Sequence, residues 1–133
     1  MPAEPILIVD DNAMNLKVAR LTLQAEGYEV WTANNAAEAL TVLQTFHPCL
    51  ILMDLQMPGM DGYELTRHLK TQPATRDIVI LAVTAYAMKG DEQKAYEAGC
   101  QGYITKPINT RSLSGVITQF LARSPGGAKE LGT

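Results

Sequence analysis

The 133-residue chain contains two cysteines, one tryptophan, two phenylalanines and no long apolar run. Each scarcity excludes something. Cys49 and Cys100 lie far apart and form no C-x-x-C pair, so no disulfide framework or thiolate metal site is in view. They read as buried free thiols in a reducing cytosol. The longest apolar runs, Cys49–Met53 and Ile78–Val83, fall far short of the roughly 18 residues that cross a bilayer. The start, Met1-Pro2-Ala3-Glu4-Pro5, has neither basic residues nor a long apolar stretch, so no secretory signal is visible. His47 and His68 stand singly, without partners at metal-ligand spacing, and read as surface residues. A net charge of -3 without clustered Lys and Arg argues against nucleic acid or another polyanion as a partner. No internal repeat or low-complexity block occurs. What is present is an ordinary globular composition, 47% hydrophobic and 19% charged, in a length that suits one cytoplasmic domain.

Five short apolar runs alternate with amphipathic segments. The runs Ile6–Val9, Tyr28–Ala33, Cys49–Met53, Ile78–Val83 and Gly102–Thr105 read as strands. Met14, Val18, Leu21 and Ala25 share one helical face, and Ala36, Leu40 and Leu43 repeat that spacing after the capping residue Asn35. Leu65 and Leu69 mark a third helix after Gly62; Ala87–Ala98 reads as a fourth, ended by Gly99. Leu113, Ile117 and Phe120 or Leu121 mark a fifth, closing near Arg123. Ile6–Val9, Cys49–Met53 and Ile78–Val83 are continuously apolar rather than alternating, as strands are when helices cover both faces of a parallel sheet. The regular alternation predicts right-handed crossovers and a three-layer α/β sandwich. Residues 1–123 form the domain, and 124–133 are a small, Gly-rich, polar tail expected to fray.

In such sheets, functional groups gather at the carboxyl ends of the strands. The first run leads into Asp10 and Asp11, the third into Asp54, the fourth into Thr84 and the fifth into Lys106-Pro107. Three clustered carboxylates repel one another unless they share protons or bind a cation. An all-oxygen donor set favours a hard divalent ion, and Mg²⁺ suits one or two carboxylates completed by waters and a phosphate oxygen. With that charge offset by the ion and Lys106, one carboxylate can attack phosphorus, while Lys106 and the Thr84 hydroxyl hold the phosphoryl oxygens.

From about Pro5 to Arg123 the chain resembles the receiver domain of two-component response regulators. The resemblance rests on Ile6-Leu7-Ile8-Val9-Asp10-Asp11-Asn12, on Leu52-Met53-Asp54-Leu55-Gln56-Met57-Pro58-Gly59-Met60-Asp61-Gly62, on Val83-Thr84-Ala85 and on Tyr103-Ile104-Thr105-Lys106-Pro107. It implies a flavodoxin-like, doubly wound (βα)5 fold with strand order 2-1-3-4-5. It also implies a phosphorelay role: a histidine kinase or histidine phosphotransfer protein gives its phosphoryl group to Asp54. The resemblance makes Asp11 a direct Mg²⁺ ligand (Mn²⁺ as substitute), with Asp10 acting mainly through water and Asp54 and the Gln56 backbone carbonyl completing the set. Thr84 and Lys106 contact the phosphoryl group, Ala85 leaves room for it, and Thr84 and Tyr103 act as the switch. The Lys106–Pro107 bond is usually cis in the family. Gln56 and Tyr86 occupy positions that tune water access to the acyl phosphate. The signal then passes to a downstream protein through the fourth helix, fifth strand and fifth helix, with no DNA-binding, membrane or turnover-enzyme activity. Asp11-Asn12-Ala13-Met14-Asn15 and Thr84–Gly90 are most similar to receivers of hybrid histidine kinases and to single-domain cell-cycle regulators.

Other readings stay open on the residues alone. A flavin or nucleotide binder would want a Gly- or Ser/Thr-rich loop where Asp10 and Asp11 stand, and a haloacid-type phosphatase would want D-x-D. An excised piece of a hybrid kinase is a third reading, against which Met1 and the short tail favour a complete protein. Asp61-Gly62 reads as a turn leading into a helix rather than a ligand. Trp31 reads as packing at a strand, and Met57 and Met60 as gap-fillers beside the Asp54 loop.

Overall fold

The computed structural model describes residues 4–57, 59–84, 91–105 and 111–123. Among the described residues, five strands alternate with five helices: β1 (Pro5–Val9), α1 (Ala13–Ala25), β2 (Glu29–Ala33), α2 (Ala36–Val42), β3 (Leu50–Asp54), α3 (Gly62–Thr71), β4 (Val79–Thr84), α4 (Asp91–Ala98), β5 (Gly102–Thr105) and α5 (Leu113–Arg123). All strand pairs are parallel, in the order β2-β1-β3-β4-β5. This is the doubly wound, flavodoxin-like arrangement that the alternation and the resemblance implied. The part of the fourth helix expected over residues 87–90 lies outside the described residues.

The continuous apolar runs are explained by burial on both faces. Every residue of β3 and β4 is buried, whereas the edge strands β2 and β5 expose part of their length. Alternate side chains feed two cores. Ile6, Ile8, Leu50, Leu52, Val79, Leu81 and Val83 pack against Leu16, Ala19 and Leu23 of α1 and Leu113 and Ile117 of α5. Leu7, Val9, Ile51, Met53, Ile80 and Ala82 pack against Ala36 and Ala39 of α2, Leu65 and Leu69 of α3 and Ala95 of α4. The helices thus split two and three across the sheet, giving three layers. Trp31 stacks on Phe46 at 4.4 Å between ring centroids.

Met14, Val18, Leu21 and Ala25 do share one face of α1, and that face is the outward one. Met14, Val18 and Leu21 of α1 are 66%, 42% and 49% exposed, and Ala25 is exposed too. The buried face is Leu16, Ala19 and Leu23, which lies about 180° around the helix at 3.6 residues per turn. Helix α1 carries two apolar stripes, so periodicity identifies the helix without selecting the inward face. Ala19 sits at the centre of the inward one, where a small side chain lets the helix approach the sheet.

Helix boundaries follow local hydrogen bonding. The side chains of Asn12, Asn35 and Asp61 accept the N–H of Asn15, Glu38 and Glu64, capping α1, α2 and α3. Gly99 ends α4 with a φ of 116°, a conformation that favours glycine. Lys70 on α3 donates to the Arg76 and Ile78 carbonyls at 3.0 and 2.6 Å, tying α3 to the segment that leads into β4. Burial holds its ammonium below the ordinary lysine range.

Both cysteines are free; Cys100 is buried and Cys49 only half-buried. Burial, aided by the nearby Glu4 carboxylate, pushes the Cys49 thiol up to about 12. Burial pushes Cys100 up to about 11, against a contact with Thr66 and the Lys70 charge that act the other way. Folded thiols therefore keep their protons where unfolded ones, titrating near 9.0, lose them. The resulting stabilisation is complete below that pH and falls as pH rises toward 11 and 12. Iodoacetamide at pH 9 should alkylate the native protein at least about tenfold more slowly than the urea-unfolded chain; equal rates would contradict this burial. A second expectation concerns Gly62, where a β-carbon would collide with the Asp54 carbonyl oxygen and lie 2.8 Å from the Leu55 Cα. Gly62→Ala should lose about 1–3 kcal/mol in urea unfolding, although alanine is the better helix former.

Candidate functional site

The register of the central strands brings the polar residues together. Val9 pairs with Met53 and Asp54 with Val83, so β1, β3 and β4 run out at one edge with Asp10, Asp54 and Thr84 side by side. Loops after β1 and β3 then repeat one device. Asp10 Oδ1 accepts the Asn12 N–H at 2.9 Å, and Asp54 Oδ1 accepts the Gln56 N–H at 3.0 Å. Each carboxylate is held by a backbone donor two residues on, as aspartate readily does in a turn. Asn12 adds a second task, since its own side chain starts α1. The Asp10 N–H is bound to the Ala33 carbonyl at 3.1 Å, which anchors this turn to β2.

One carboxylate oxygen from each of Asp10, Asp11 and Asp54 lies within 4.8 Å of the others. Asp10 and Asp54 are buried, whereas Asp11 is exposed at the mouth. Three like charges so placed repel strongly in a low-dielectric setting, and a cation among them relieves that repulsion. The donors are all hard oxygens, without imidazole or thiolate among them, which fits Mg²⁺ rather than a softer transition metal.

Thr84 closes β4 with its side chain buried, and its hydroxyl donates to the Gln56 side-chain oxygen at 2.7 Å. On β5, Tyr103 is half-buried against the core shared by α2, α3 and α4, with its hydroxyl oxygen shielded from solvent. Asp61 caps α3 rather than joining the acidic cluster. His47 and His68 are exposed, Met57 is buried and Met60 is exposed. Lys106, Pro107, Ala85 and Tyr86 lie outside the described residues.

Two contributions escaped the sequence reading. Asn12 orients Asp10 and starts α1; an Asp-Asp-Asn run before a helix is the signal that could have found it. Gly62 allows α3 to begin against the Asp54 backbone, and its signal was the Asp61-Gly62 pair after the β3 loop.

Residues 6–118 match the response regulator receiver domain family. The polar-differentiation response regulator DivK of Brucella ovis is 42% identical over 116 residues, covering 87% of this chain and 94% of its own. A CheY-like receiver domain protein from Methanospirillum hungatei superposes with a TM-score of 0.85 at 33% identity, covering 96% of this chain and 98% of the other. The receiver domain of sensor histidine kinase PA1611 from Pseudomonas aeruginosa, solved with magnesium coordinated in its active-site cleft, gives a TM-score of 0.79 at 32% identity, covering 93% and 98%. With strand order, acidic cluster and a family match over most of its length in agreement, the chain belongs to the response regulator receiver domains of two-component systems.

Proposed function

We propose that this receiver accepts a phosphoryl group on Asp54 from a phosphohistidine donor and relays the change through a protein-binding surface. The observation that carries this reading is the meeting of the Asp10, Asp11 and Asp54 oxygens within 4.8 Å at the end of the sheet, beside the Thr84 hydroxyl. In the transfer, an Asp54 carboxylate oxygen attacks phosphorus, the P–N bond to the donor imidazole breaks, and the nitrogen keeps the bonding pair. The product is an acyl phosphate. Asp10, Asp11, Asp54 and the Gln56 carbonyl would hold Mg²⁺, or Mn²⁺ in its place. The ion would neutralise charge on the carboxylates and phosphoryl oxygens. Thr84 and Lys106 would donate to those oxygens, and Gln56 and Tyr86 would regulate water access. Water later attacks the acyl phosphate and restores Asp54, so the domain catalyses its own cycle without turning over an independent substrate.

A nucleotide or flavin site is disfavoured by Asp10 and Asp11, whose charge stands where a phosphate-binding loop would lie. We place the domain at residues 1–123, with 124–133 as a tail, in the cytoplasm. No helix among the described residues is long and apolar enough to cross a membrane. The exposed Met14, Val18 and Leu21 stripe begins beside Asp11 and supports docking of an apolar helical surface on the donor, a histidine kinase or phosphotransfer protein. The downstream protein would read α4, β5 and α5, with Thr84 and Tyr103 as the moving parts.

Incubation with a small phosphodonor and Mg²⁺ should give a metal-dependent, acid-stable but base-labile phosphoprotein that is lost in Asp54→Asn. Labelling retained in that variant would overturn the assignment. Asp11→Asn should raise the Mg²⁺ concentration needed for labelling. The double variant Met14→Asp, Leu21→Asp should slow transfer from a phosphohistidine protein at least about tenfold, as loss of a buried apolar anchor does, while small-donor labelling stays unchanged.

A further inference from the structure

The side chain of Gln56 makes one contact that the proposed chemistry does not use. Its Oε1 accepts the Thr84 hydroxyl proton at 2.7 Å, while its backbone N–H is bound to Asp54 Oδ1 at 3.0 Å. A threonine hydroxyl has a single proton to donate. A phosphoryl oxygen on Asp54 and the Gln56 amide oxygen therefore compete for the same donor. We propose that Gln56 is a latch that holds Thr84 in its unphosphorylated position, so that phosphorylation must exchange the Thr84 hydrogen bond from Gln56 to the phosphoryl group. This inference rests on the reading of Asp54 as acceptor and assigns Gln56 a positioning role apart from any control of water.

The linkage is local and physical. Gln56 follows Asp54 by two residues, and the same residue grips the carboxylate through its main chain and the β4 hydroxyl through its side chain. Any change that turns the Asp54 carboxylate away from the Gln56 N–H also shifts the amide that restrains Thr84. Thr84 ends β4 beside β5, where it pairs with Thr105 two residues beyond Tyr103, so release of its side chain reaches the strand that carries the aromatic switch. A latch of this kind lowers the apparent affinity for the phosphoryl group, because part of the binding energy is consumed in breaking the resting hydrogen bond. It also lowers the population of the active arrangement before phosphorylation.

The test uses the full chain with Mg²⁺ and beryllofluoride, an analogue of the acyl phosphate, and compares wild type, Gln56→Met, Thr84→Val and the double variant. Methionine keeps the length of the side chain and removes the acceptor. Gln56→Met should bind beryllofluoride about 2- to 10-fold more tightly, the range set by one net hydrogen bond. Without beryllofluoride, its Thr84 methyl resonance should move part of the way toward the bound position. In the Thr84→Val background, Gln56→Met should leave the affinity unchanged, because no hydroxyl remains to latch. The latch is overturned if Gln56→Met leaves affinity and resonance as in wild type, even when dephosphorylation changes, for then the residue acts on water alone. Equal tightening with and without the Thr84 hydroxyl overturns it as well. Failure of wild type to bind beryllofluoride, or undiminished binding by Asp54→Asn, would instead remove the acceptor assignment and the latch with it.

Discussion

Parallel pairing of β1 with β3 and of β3 with β4 is the constraint on which the rest of the molecule depends. Because these strands share a direction, their carboxyl ends fall at one edge, and the register Val9–Met53 and Asp54–Val83 determines which residues emerge there together. A one-residue slip would exchange the two cores and send Asp54 to the wrong face. The buried apolar side chains on both faces make such a slip costly, so the packing that stabilises the sheet also aligns the carboxylates.

That alignment concentrates negative charge where the fold can tolerate it. Two of the three carboxylates are buried, but each is bound by a main-chain N–H, and the third opens to solvent. The site is therefore preorganised for a cation, with the repulsion among its anions as the driving force for binding one. Gln56 joins this cluster to Thr84, so the acidic pocket and the end of β4 are mechanically continuous. A receiver needs that continuity, since a charge added at one strand end must be felt on a neighbouring surface.

Much of the fold was readable from the chain itself. Continuous apolar runs marked β1, β3 and β4 because burial on both faces leaves no room for alternation. Asn35 and Gly99 marked helix ends because capping is a local event settled by a few hydrogen bonds. The acidic cluster was readable because strand ends in a parallel sheet converge whatever the details of the loops. The face of α1 was not. Met14, Val18 and Leu21 match helical periodicity as well as Leu16, Ala19 and Leu23 do, and only docking against the sheet distinguishes them.

The sequence by itself determined the order of elements, the parallel sheet and the residues at its carboxyl edge, because periodicity, caps and strand-end chemistry act within a few residues of one another. Tertiary structure alone decided which stripe of α1 faces inward, that Gly62 lies against the Asp54 backbone, and that the Gln56 side chain reaches Thr84. These are contacts between segments whose separation along the chain carries no periodic signal. They exist only once packing has brought the strands into register.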